Sequence, residues 1–327
     1  MTRPIFGFHY GVQRMFKSFT LGTTLLIGSV LAFSVQALAN DEPLKITKVN
    51  DHVYAIVGEI DDRTYDNDGL NNNQAVIVTK DGVILVDSGA SKVGAARIEK
   101  AIAGLTDKPV KWVINTGSQD HRWLGNDYFA SKGAEVIAFE GTVATQKKVG
   151  AQQIDTLKKT LKERMDGTTP AYATRILKDS PTKLDLGGEK LEVMYTNAHF
   201  PGDSMVWLPK EKIAVTGDLV YVDRMLGVHD TSSVKNAWAA WQELVKLNPT
   251  TVIPGHGQVC DMAKAKKDSG DYYAFLVNVV GKAAQDMAPM DEVIKANADR
   301  PEFKHLKHYD TWHKTVMNRT YLQFEGQ

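Results

Sequence analysis

One cysteine, Cys260, stands in a chain of 327 residues, so no disulfide can form within it and the fold must rest on its core. An isolated cysteine of this kind reads as a small inert hydrophobe, although its place just after His256 also allows a ligand or a nucleophile. Beyond residue 39 there is no apolar run long enough to cross a bilayer. Net charge is lacking as well: 39 Lys and Arg meet 39 Asp and Glu. Without a basic face, nucleic acid is excluded as a partner.

What is present is an ordinary globular composition, 43% apolar and 24% charged. Arg14 and Lys17 precede an uncharged run from Phe19 to Val35, and Ala37-Leu38-Ala39 supplies small residues for cleavage. Residues 1–39 therefore read as a signal peptide cut after Ala39, which predicts a periplasmic or secreted protein with no membrane attachment. Removal of Arg3, Arg14 and Lys17 leaves 36 basic against 39 acidic residues.

Period-two alternation marks a strand pair before and after Asn50-Asp51, with His52 expected at the surface. The loop from Asp61 to Asn73 is rich in oxygen donors, but its spacing fails the EF-hand pattern, so it reads as a mobile hairpin loop or flap. Strands follow at 75–79 and 83–87, a helix from Val93 to Leu105, and strands at 110–114 and 135–139. The basic segment 142–166 reads as a helix with a solvated face, and the turn-rich 166–181 as a pocket wall. Further strands are expected at 184–186, 191–195, 205–208, 213–216 and 250–253, with an amphipathic helix at 234–247. From Lys264 onward the spacing is helical, and His305, His308 and His313 are expected at the surface. Strand content in 44–140 and 182–257 is similar, which suggests two sheets covered by helices, although no repeat is visible in the sequence.

Five of the strand ends carry polar turns: Asp87, Asp120-His121, His199, Asp218 and His256. Imidazoles and carboxylates gathered at rigid strand ends are the donor set of a divalent metal such as zinc. Trp123 and Trp207 read as core.

These turns resemble the motifs of the metallo-β-lactamase superfamily. LVDSG with Asp87 is similar to its early aspartate turn, AHFPGDS with His199 to its middle histidine motif, TGDLV with Asp218 to its bridging aspartate, and PGHG with His256 to its last histidine. The resemblance implies an α/β fold, an αββα sandwich over residues 40–262, with 263–327 as a helical extension packed on it. The departure lies in NTGSQDHRWLGN, where the family writes Thr-His-x-His-x-Asp-His. Without gaps, Gly117 and Gln119 replace two histidines, His121 the aspartate and Arg122 the last histidine; a one-residue shift would instead lay Asp120-His121 on the Asp-His pair.

The resemblance then implies one zinc ion held by His121, Asp218 and His256, with two ions or none as the other outcomes. Asp120 or His199 would serve as base or orienting group and Asp87 would be structural; Arg122 would either pair with Asp218 or Asp87 in place of the lost charge or, like Arg224, grip an anionic small-molecule substrate. The expected function is hydrolysis of an ester, lactone, thioester or amide, β-lactams among them. The competing reading is a metal-poor binding protein in which Arg122 has taken over the electrostatics of the site.

Overall fold

The β-branched runs form strands whose alternate residues face two different layers. In the computed structural model, which describes residues 42–326, β1 (Lys45–Lys48), β2 (Val53–Val57), β3 (Gln74–Val78) and β4 (Val83–Val86) pair antiparallel in order. The chain then turns to parallel wiring through β5 (Val110–Ile114), β6 (Glu135–Phe139) and β7 (Arg175–Leu177), which completes a seven-stranded sheet. The second sheet has five strands, β8 (Thr182–Leu186), β9 (Glu189–Tyr195), β10 (Ser204–Leu208), β11 (Ile213–Val215) and β12 (Thr251–Ile253), in the order β12-β11-β10-β9-β8. The signal-peptide reading falls on residues outside those described.

Three apolar clusters show why two sheets stack. Ala75, Ile77, Ile84 and Val86 of the first sheet meet Leu191, Val193, Val206 and Ile213 of the second. The alternate residues Val76, Val83 and Leu85 face outward under Ile98 and Phe129. On the far side, Met205 and Trp207 pack against Trp241, Tyr272 and Leu276. Each large side chain removed from water contributes about 1.5–3 kcal/mol, so both faces of both sheets need their cover. The layers run helix, sheet, sheet, helix, as the sequence implied. The first cover is α1 (Lys92–Ala103), capped by Ser91 accepting from the Gly94 amide, with the short α2 (Asp120–Trp123) and α3 (Asn126–Ala130) and the long α4 (Glu140–Leu161). The second is α5 (Val234–Leu247) and the C-terminal helices, which share its core through Phe303, Met317 and Phe324.

Two surface expectations are corrected. His313 is 1% exposed, with Nδ1 2.7 Å from Tyr272 Oη and Nε2 2.9 Å from Asn297 O. Residues 67–74 are buried rather than a mobile flap: the Asn67 side chain accepts from the Thr64 and Gly69 amides, and Asp68 pairs with Arg97 at 2.8 Å and with Arg164. The basic helix α4 keeps Lys147, Lys148, Lys158 and Lys159 exposed, as expected, while its other face buries Val143, Gln146, Ile154, Leu157 and Leu161.

Candidate metal centre

Every residue of the site leaves a strand at its carboxyl end, where the sheets part. Asp87 follows β4 with φ of 67°, a left-handed backbone that side chains rarely adopt outside functional turns. Its carboxylate accepts from Thr116 N and Thr116 Oγ1, both at 2.7 Å. The loop after β5 enters α2, and Gly125 beyond it lies so near that an added Cβ would stand 2.0 Å from Ser88 O. Only glycine allows this approach, which fixes how far α2 reaches into the cleft. Gly217 turns the chain after β11 to present Asp218, and Pro254-Gly255 follows β12 to present His256.

His121, Asp218 and His256 come together there, with one ligand atom of each lying within 4.8 Å of the others. His121 Nε2 stands 3.2 Å from Asp218 Oδ2, and His256 Nε2 stands 3.1 Å from Asp218 Oδ1. The two contacts end on different oxygens of Asp218, which places the carboxylate between the imidazoles, and donors of these kinds gathered this closely suit one zinc ion. The ligating tautomers are supported from behind. Asp120 Oδ1 lies 3.1 Å from His121 Nδ1, and His256 Nδ1 donates to Asn71 O at 2.7 Å.

The family's two first-site histidines have no counterpart here. At Gly117 an added Cβ would stand 2.7 Å from Asp203 Oδ1, so a histidine there would displace a buried carboxyl group that accepts from Phe200 N. Gln119 instead meets His199, with Oε1 and Nε2 3.1 Å apart, while His199 Nδ1 donates to Gly227 O at 2.9 Å.

Arg122 is the unusual member. It is 1% exposed, gives Nε to Asp218 Oδ2 at 3.2 Å and Nη2 to Asp218 Oδ1, and gives Nη1 to Asp87 Oδ2 at 2.9 Å. Of the two roles expected for it, pairing with Asp218 and Asp87 is the one the structure shows, and gripping substrate is corrected: its guanidinium is spent between the two carboxylates and does not line the cavity. Burial opposes ionisation of Asp218, yet Arg122 and His121 hold its carboxyl well below the ordinary range. Gly255 is required beside this pair, because a Cβ would meet Arg122 Nη2 and Asp218 Oδ1, both at 2.7 Å.

Above the three ligands opens a cavity of about 500 Å³, lined by His121, His199, Tyr221 and His256. Its far wall comes from Thr156, Leu157 and Thr160 of α4 and from Trp312, Val316 and Arg319 near the C-terminus, not from residues 166–181 as the sequence suggested. Two residues missed in the sequence touch the ligands. Arg63 Nη1 lies 2.9 Å from His121 Nδ1 and competes with Asp120 for that nitrogen; Tyr221 stacks on His256 with centroids 4.7 Å apart. Their only signal was a place in a loop and a strand-end turn. Cys260 is not among the ligands, and burial pushes its thiol up to about 12.

The model of the Metallo-beta-lactamase superfamily matches residues 67–256. The chain belongs to that superfamily. It is 25% identical over 243 residues to metallo-beta-lactamase IND-1 of Chryseobacterium indologenes, spanning 72% of this chain and 89% of that one. Among solved structures, a metallo-beta-lactamase from Pontibacter korlensis superposes with TM-score 0.56 at 22% identity, over 68% of this chain and 95% of its own. A double mutant of the sec-alkyl sulfatase PisA1 superposes with TM-score 0.69 at 16% identity, over 86% of this chain and 50% of its own. Relatives of both kinds are hydrolases, and membership supports a metal-dependent hydrolase at the level of the superfamily.

Burial also sets a pH dependence. It pushes His199 down to about 3, Asp218 opposing, so the folded protein holds this imidazole neutral while the unfolded chain protonates it near 6.5. Below 6.5 the unfolded state binds the extra proton, and stability is lost as pH falls from there towards about 3, at up to about 1.4 kcal/mol per pH unit. In denaturant titrations across that window, His199→Gln should flatten the slope by close to one proton. An unchanged slope would refute the assignment.

Proposed function

We propose that this protein is an exported hydrolase that uses one metal ion, held by His121, Asp218 and His256, on a small anionic substrate. The observation that carries this reading is the convergence of those three ligand atoms beside the cavity, which His121 and His256 line. When bound, a zinc ion there supplies Lewis acidity towards water and towards the oxygen of the scissile bond.

The chain's own groups orient and bind. Despite burial, Arg63 and His121 hold Asp120 down at about 2, and at that value it is a poor general base but a good anchor for His121 Nδ1–H. His199, neutral, turns Nε2 towards Tyr221 Oη at 3.2 Å; burial raises the tyrosine well above its usual range, so it stays a donor. Both groups originally expected as base or orienting group thus act by orienting.

Arg224 supports an anionic substrate. It lines the cavity, its Nε is buried without a hydrogen-bond partner, burial lowers its pKa, and its acidic partner is the largely exposed Asp62 at 3.6 Å, while Nη1 lies 3.1 Å from His256 Nδ1. Arg63 and Arg319 share the cavity with apolar Leu157, Val228 and Val316, a lining suited to an ester, lactone, thioester or amide with a charged end and an apolar body. Arg224→Gln should raise KM for anionic substrates about ten- to a hundredfold and leave neutral ones nearly unchanged. Equal effects on both would rule out the anchor.

One observation favours the alternative, a metal-poor binding protein: Asp218 is met by two N–H groups of Arg122 and by both histidine Nε2 atoms, so its oxygens can be satisfied without an ion. Elemental analysis of the purified chain beside His256→Ala separates the two. The hydrolase loses zinc on substitution, whereas the binder shows no difference.

A further inference from the structure

At the opposite end of the sandwich a second set of ligands crosses between the sheets. His52 enters β2 of the first sheet; Glu189 opens β9 and Glu211 lies in the β10–β11 turn of the second. His52 Nε2 stands 3.3 Å from Glu189 Oε2 and 3.8 Å from Glu211 Oε1, and one ligand atom from each residue lies within 4.8 Å of the others. The Glu211 side chain is 6% exposed, and its Oε2 is buried without a hydrogen-bond partner. His52 Nε2, aimed at both carboxylates, also has no hydrogen bond. Burial, and then Glu211, raise the pKa of Glu189, so the two acids repel each other on the second sheet, facing His52 across the seam. The nearest lysine, Lys210, is 3.5 Å from Glu211 Oε1, but its side chain is 85% exposed and screened by water.

We propose that His52, Glu189 and Glu211 form a structural zinc site that ties the two sheets together. One imidazole nitrogen and two carboxylate oxygens suit zinc, with water to complete the shell. An ion there replaces repulsion between the two acids with shared attraction, and it stabilises only the folded state, in which the sheets are stacked.

The test uses zinc alone as probe, on the full chain carrying His121→Ala and His256→Ala, so that remaining tight binding reports the second site. Titration should give close to one zinc per chain and raise the melting temperature by several degrees; adding Glu211→Gln should abolish both. Without metal, Glu211→Gln should melt no lower than its parent, because it removes the repulsion, and this shows that lost binding is not lost folding. If the double substitution does not fold, the same comparison in the otherwise unaltered chain should show zinc stoichiometry falling by one with Glu211→Gln. No zinc in the double variant, or unchanged zinc after Glu211→Gln, would overturn the proposal and leave the candidate metal centre untouched.

Discussion

Arg122→Met should make the stability of this protein depend on metal. Arg122 is buried, and it is the fixed counter-charge of Asp87 and Asp218. Methionine fills similar volume but leaves two buried carboxylates with no cation. Removing one partner of a buried pair costs about 3–5 kcal/mol, a large part of the 5–15 kcal/mol that holds a typical domain together. A divalent ion on His121, Asp218 and His256 would restore counter-charge to Asp218; at a hundredfold excess over its Kd it returns about 2.7 kcal/mol. The variant should therefore melt far below the parent in a chelator and recover much of the difference with zinc, while the parent shifts less. If the variant in chelator melts with the parent, Arg122 is not the structural charge of the site.

The strands and the ligand set were legible in the sequence for the same reason. Alternation such as Ala75-Val76-Ile77 reports two covered faces, and each run ends in glycine beside a polar residue, which is how a strand end delivers a side chain into a cleft. That pattern marked five polar strand ends, the family resemblance singled out His121, Asp218 and His256 among them, and the structure gathers these three. Direction and burial were not legible. Arg122 sits next to His121 in sequence, and the pattern leaves open whether it pairs with Asp87 or Asp218 or reaches a substrate; the structure gives it both carboxylates, Asp87 lying 35 positions earlier. Asn71, Asn72 and Asn73 looked like loop because asparagine favours turns, yet Asn73 Nδ2 donates to Pro254 O at 2.9 Å and Gly257 O at 2.8 Å and clamps the turn that carries His256. His313 was misplaced for a related reason: its partners, Tyr272 and Asn297, lie on other turns of the C-terminal helices.

The second large effect concerns Asp218, which stands among the candidate ligands and also pairs with Arg122. Asp218→Asn should abolish hydrolysis, remove the zinc that His256→Ala also removes, and in addition lower stability by about 3–5 kcal/mol, because Arg122 keeps only Asp87 as a buried partner. His256→Ala should match it in activity and metal but not in stability measured without metal, since a neutral imidazole leaves no charge behind; burial holds His256 well below its usual pKa. Combining Asp218→Asn with Arg122→Met closes a double-mutant cycle. The double variant should be more stable in chelator than the sum of the two losses predicts, by about 0.5–3 kcal/mol, because removing both charges leaves less uncompensated than removing either. Strict additivity would mean that the pair is not coupled, and Arg122 could then not be said to hold the bridging aspartate in place of a second metal ion.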